Sequence, residues 1–147
     1  MPRKKWPPPG YPLVEGDYAL TEEWTIHLPQ QFARRIDDGD PVLWRPGMTI
    51  WLAVWNNDHH ETQAERLARF KGEASPERFA ERVSVGEGLT RFDYRLREEN
   101  EDGSVESLQA VTYNDNGQLD MVVYFDDPAN EVMARQLADS VAQRPQS

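Results

Sequence analysis

From Trp24 to Leu28 the apolar residues Trp24, Ile26 and Leu28 alternate with Thr25 and His27, the two-residue period of a strand with one face in a core. Pro29 is expected to stop it. A second alternating stretch carries Phe32, Arg34 and Ile36 against Ala33 and Arg35, and runs into Asp38-Gly39, a hairpin connector because glycine accepts positive φ. The return strand, Val42 to Trp44, ends at the turn signal Arg45-Pro46-Gly47. Met48 to Trp55 is apolar on both faces: Met48, Ile50, Leu52 and Val54 on one, Trp51, Ala53 and Trp55 on the other. Such a strand is expected at the centre of a sheet with both sides at least partly covered. The alternative is that Trp51 and Trp55 line a groove.

A helix is predicted from Asp58, with Glu61 completing a capping box, a stripe of Ala64, Leu67, Ala68 and Lys71, and Gly72 at its end. Ser75-Pro76 reads as the cap of a short second turn or helix, broken by Gly86 and Gly88. Three strands come next. In the first, Phe92, Tyr94 and Leu96 alternate with Arg91, Asp93, Arg95 and Arg97, which predicts one wet face. The turn at 99–104 leads to Val105–Tyr113, and Asn116-Gly117 leads to Gln118–Phe125. A closing helix from Asp127, with Pro128 in its first turn, repeats Met133, Leu137 and Val141 beside Ala134 and Ala138. The predicted fold is α+β: a curved antiparallel sheet of about six to seven strands with two main helices packed on it.

Composition bounds this picture without changing it. A chain of 147 residues with 38% apolar positions and five each of Phe, Tyr and Trp fits one domain with its own core. We expect a flexible Pro-rich arm at 1–16, one domain at 17–142 and a frayed tail at 143–147. There is no cysteine, hence no disulfide, thiol nucleophile or thiolate metal site. No apolar run approaches the length of a membrane span, and the basic start is followed by prolines instead of an export signal's apolar stretch. A cytoplasmic setting, away from membranes, is therefore expected.

The net charge is -10, and Arg3, Lys4 and Lys5 gather three positive charges at the start, so the rest is more acidic still. Such a field repels nucleic acid and steers a basic protein partner toward the chain. The arginines among the aromatics at 91–97 are opposed by Asp93 and the acids that come after, which argues against a single-strand binding surface.

Candidate chemistry is sparse. Asp58, His59, His60 and Glu61 are residue types that hold metals or move protons, but adjacent histidines share no helical face and the second histidine of an HExxH motif is missing. His27 is a second candidate, as an acid or base beside aromatic walls if its strand lies near Trp51 or Trp55. The paired carboxylates, Asp37-Asp38 and Asp126-Asp127 among them, fall in turns and caps that keep both members ionised. No phosphate loop, GxGxxG, GxSxG or calcium-loop spacing is present. We assign no catalytic residue, metal or cofactor. The binding candidates are Trp51, Trp55, His27, His59, His60 and Glu61.

The WTIHLP opening, the hairpin, the long apolar strand, the helix, the meander and the closing helix together resemble small PsbP-like α/β/α domains. The YALTEEW, VLWRPG, TIW and VVYFDD segments also resemble short bacterial proteins of a family without an assigned activity. The PsbP-like resemblance implies an adaptor, assembly factor or chaperone more than an enzyme. Two functions are therefore carried forward. The first is a protein-binding adaptor, chaperone or inhibitor of a basic partner, using an exposed patch at Trp51 and Trp55. The alternative is a small-ligand protein or enzyme in which His27 converges with His59–Glu61. The oligomeric state is not legible in the sequence.

Overall fold

A computed structural model describes residues 6–144. Its elements are β1 (Leu13–Ala19), β2 (Trp24–Asp37), β3 (Asp40–Arg45), β4 (Met48–Asn56), α1 (Gln63–Glu73), β5 (Phe79–Gly86), β6 (Leu89–Asn100), β7 (Gly103–Tyr113), β8 (Gly117–Phe125), a single 3-10 turn (Pro128–Asn130), α2 (Glu131–Ser140) and β9 (Ala142–Gln143). The strands form one antiparallel sheet in the order β1-β2-β3-β4-β8-β7-β6-β5, with β9 added to the start of β2. The α+β expectation holds, with a sheet longer than predicted.

The helices lie on opposite faces. Alternation sends Leu108 and Ala110 of β7 to one side, where Trp24, Ile26, Phe32, Leu43, Ile50, Met121 and Val123 join Ala134, Leu137 and Ala138 of α2 in the main core. It sends Val111 and Tyr113 to the other side, where Phe92, Tyr94 and Leu96 pack under Leu67 and Phe70 of α1 and its C-cap residue Ala74. Burying these two sets against their helices supplies the hydrophobic driving force of the fold.

Several local expectations are corrected. Strand β1 starts at Leu13, so residues 13–16 belong to the sheet instead of an arm, and Tyr11 sets its ring edge-on to Trp44 at 4.9 Å. Residues 1–5, and the tail at 145–147, lie outside the described residues, whereas Gln143 pairs with Trp24 and the Arg144 N–H donates to Glu23 O. Pro29 does not end a strand, because β2 runs through it. The register of β1 slips between Val14 and Gly16, opposite the stretch from Leu28 to Phe32, so the ladder asks no N–H of Pro29 there.

Helix α1 starts at Gln63, not at Asp58. Its cap is Thr62, whose hydroxyl accepts from the Glu65 N–H while the Glu65 carboxylate accepts from the Thr62 N–H. The buried side of α1 is Arg66 with half-buried Leu67 and Phe70, while Ala64 and Ala68 face solvent. Ser75-Pro76 forms a turn, but the chain then enters strand β5 instead of a helix. Glu87 and Gly88, both at positive φ, close a hairpin to β6.

The arginine side of β6 is wet only at its end: Asp93 and Arg95 are buried with their charges paired by side chains that include those of α2, while Arg97 stays exposed. Arg95 bonds Glu106 and Glu131, Arg97 bonds Glu106, and Asp93 accepts from Arg82 (2.7 Å) and Arg135 (2.8 Å). Asp127 caps as expected, its carboxylate accepting from the Ala129 N–H at 2.9 Å, but the turn it caps is the 3-10 turn, and α2 starts at Glu131 instead of Asp127.

Candidate functional site

The face that α1 leaves bare is built by strand register. Across it, Arg35, Val42, Trp51, Val122, Gln109 and Tyr94 form one row, each opposite the next on the neighbouring strand. In the adjoining row Ala53 opposes Asp120, which opposes Val111 and then Phe92. Asp37 and Asp40 pair at the mouth of the β2–β3 hairpin and line the same hollow as Ala53 and Asp120. The third row runs from Trp55 through Gln118 to Tyr113.

Helix α1 covers the β6–β7 end of these rows, so Phe92, Val111 and Tyr113 are buried. At the β4 end, Trp51 remains 38% exposed and Trp55 57% exposed. Both sheet faces are thus partly covered, as expected, but the cover over β4 is incomplete on this side, and of the two tryptophans only Trp51 borders a hollow. Part of the exposed surface is nonetheless organised. The Arg35 guanidinium lies 5.3 Å from the Trp44 ring centroid and 5.4 Å from that of Trp51, and Val42, between Arg35 and Trp51 in register, is fully buried.

A cavity of about 290 Å³ opens next to this cluster. It is lined by Trp51, Leu52, Ala53 and Val122 together with Asp37, Asp38, Asp40 and Asp120, and no Lys, Arg or His is in the lining. Ala53 makes the hollow, because it is a one-carbon side chain between two tryptophans on the same strand face. Burial pushes the Asp120 carboxyl above its ordinary range, offset by hydrogen bonds from the Gln118 amide (2.8 Å) and the Trp55 side chain.

The position of this face depends on how α1 is tied down. The buried Arg66 guanidinium donates to Gly117 O at 2.7 Å and to Asn114 O, and lies 5.0 Å from the Tyr113 ring centroid. Burial lowers its pKa from the ordinary arginine value. The turn it grips is made by Asn114, whose side chain accepts from the Asn116 N–H at 3.0 Å and the Gly117 N–H at 2.7 Å. Gly117 is needed there for a close approach instead of for positive φ, since a Cβ would lie 2.2 Å from Trp55 O.

The histidine candidates do not come together. His27 sits on β2, its Nδ1 2.8 Å from Asp17 of β1, and both side chains are largely exposed. Its main-chain N–H donates to Ser140 Oγ at 3.0 Å, so that hydroxyl serves as a ladder partner at the end of α2. β2 pairs with β1, β3 and β9, which removes the aromatic walls of Trp51 and Trp55 expected beside His27. His59 and His60 are exposed in the loop before α1, with His60 at φ 53° and its N–H on Asn57 O. Glu61 pairs with Arg69, and its backbone is clamped by the Asn57 side chain. Among the described residues no three His, Asp or Glu side chains are grouped to hold a metal ion. No helix among them is long and apolar enough to cross a membrane.

Sequence reasoning found Trp51 and Trp55, read Asp37-Asp38 only as turn carboxylates and Ala53 only as part of an apolar strand face, and did not single out Asp40 or Asp120. The signal was present: Asp120 is the one acid inside the otherwise apolar or amide-bearing run Gln118–Phe125, and Ala53 is the small residue between two tryptophans. No protein-family model matches the chain, and no curated protein matches it either.

Proposed function

We propose that the chain is a protein-binding adaptor whose docking surface is the bare half of the α1 face, and that its partner presents a basic segment. The observation that carries this is the exposure of Trp51 and Trp55 on one strand beside a hollow rimmed by Asp37, Asp38, Asp40 and Asp120. Exposed tryptophans beside a hollow rimmed by acidic residues have the composition of an interface centre and rim, with the Arg35 guanidinium held within the fold against the Trp44 and Trp51 rings. The long-range field of an acidic chain speeds the approach of a basic segment, and the local carboxylates orient it. An adaptor or chaperone role is also what the PsbP-like resemblance implies. The alternative that rested on convergence of His27 with His59–Glu61 is less favoured, because these residues have separate partners on separate elements.

An array of immobilised peptides graded in net charge tests this. The protein should be retained on the basic members, and retention should fall with added salt and vanish in a Trp51→Ala/Trp55→Ala variant. Retention that ignores peptide charge, or that survives the double substitution, would overturn the proposal.

A further inference from the structure

The hollow over Ala53 offers a specific anchor within the docking face, an anchor that rests on the adaptor reading above. At about 290 Å³ it falls at the lower edge of ligand pockets, which span roughly 300–1,000 Å³. That is room for one long side chain. Its carboxylates stand on two sides: Asp37, Asp38 and Asp40 at the β2–β3 hairpin, and Asp120 on β8, with Ala53 of β4 between them. Strands are spaced at about 4.8 Å, so the two sides stand roughly 10 Å apart at the backbone. Trp51 forms the wall, and within this same fold its ring already accepts a guanidinium, that of Arg35.

We infer that this hollow receives an arginine side chain from the partner's basic segment, its guanidinium stacked against Trp51 and bonded between Asp120 and the hairpin carboxylates. A planar cation with five donors can stack and meet carboxylates on two sides at once, which a compact, strongly hydrated ammonium does less well. The incoming charge also compensates Asp120, whose ionised form is disfavoured by burial. Ala53 acts as the specificity-determining residue, because any larger side chain on that strand face fills the space the guanidinium needs.

The probe is a blocked pentapeptide with one arginine between two leucines, titrated against the whole chain while the tryptophan indole N–H signals are followed by NMR. Shifts at Trp51 and Trp55 are expected, with the isosteric citrulline peptide binding roughly tenfold more weakly. Ala53→Leu should bind both peptides alike, and so should Asp120→Asn, which removes the charge while keeping the shape. Equal binding of the two peptides by the unsubstituted chain, or a preference that survives both substitutions, overturns the arginine anchor. If in that case binding is still lost in Trp51→Ala/Trp55→Ala, the docking face itself stands. Absence of binding by any peptide overturns both. Free arginine amide binding as tightly as the peptide overturns the protein source in favour of a small amine.

Discussion

The three rows that cross the α1 face each pass from a bare half to a roofed half, and the same alternation produces both. Phe92, Val111 and Tyr113 are as apolar as Trp51, Val122 and Trp55 and lie on the same side of the same sheet. They differ only in whether α1 lies above them. An apolar strand face thus reports that cover is wanted, and the helix position decides where cover is supplied within the chain. On the bare half the cover is left to something else. Carboxylates at Asp37, Asp40 and Asp120 mark that half, whereas the roofed half has none in its rows.

If this division is right, substitutions should separate along it. The largest effect is expected for Phe92→Ala, which empties a fully enclosed aromatic site beneath Phe70 and should cost about 3–5 kcal/mol in urea unfolding. A loss below about 1 kcal/mol would show that α1 does not seal this half. Arg66→Ala should come second at about 2–3 kcal/mol, since it strips donors from the buried Gly117 and Asn114 carbonyls and loosens α1. Faster hydrogen exchange in α1 than in α2 would confirm that the loss is local. Thr62→Ala removes the capping hydroxyl and should cost about 1 kcal/mol, again seen first as exchange at the start of α1.

The smallest effect, and the one of opposite sign, belongs to the bare half. The folded pKa of Asp120 is raised by burial, so the native state holds its proton more readily than the unfolded chain does. Ionised Asp120 therefore opposes folding above its folded pKa, and that opposition fades as pH falls through the carboxylate range. Asp120→Asn should stabilise the protein by up to about 1 kcal/mol at neutral pH, with the gain disappearing in acid. Thermal unfolding of both proteins across pH checks it. A destabilised Asp120→Asn at neutral pH would mean that the charge is satisfied by the fold itself and does not await a cation.

Much of the molecule was legible from local pattern. The β2–β3–β4 hairpins, the β6–β7–β8 meander and the closing helix follow from alternation, from Asp38-Gly39 at positive φ, and from the Asp127 cap. The misses had competing local signals. Asp58–Glu61 offered a capping box four residues ahead of the one used at Thr62–Glu65, and Asn57 prevents the earlier one by bonding both the N–H and C=O of Glu61. Ser75-Pro76 looked like a helix start, while the edge strand β5 carries its exposed valines, Val83 and Val85, without a clear partner pattern.

Arg95 of β6 looked solvated, as Arg97 is, because a sequence shows charge and not pairing; Glu131 and Arg135, which complete the buried network, lie on α2 far along the chain. The candidate face was half legible for the same reason. Trp51 and Trp55 announce themselves, but their exposure depends on where Arg66 fastens α1, and the hollow depends on register that brings the β2–β3 turn beside Asp120.

The most direct measurement pairs stability with binding in one variant. Trp51→Ala/Trp55→Ala should lose its hold on a basic peptide in calorimetric titration, while its urea unfolding free energy falls by well under half of what Phe92→Ala costs. Unchanged peptide binding, or a stability loss as large as that of Phe92→Ala, would contradict the division of this face into a half that holds the fold and a half that holds a partner.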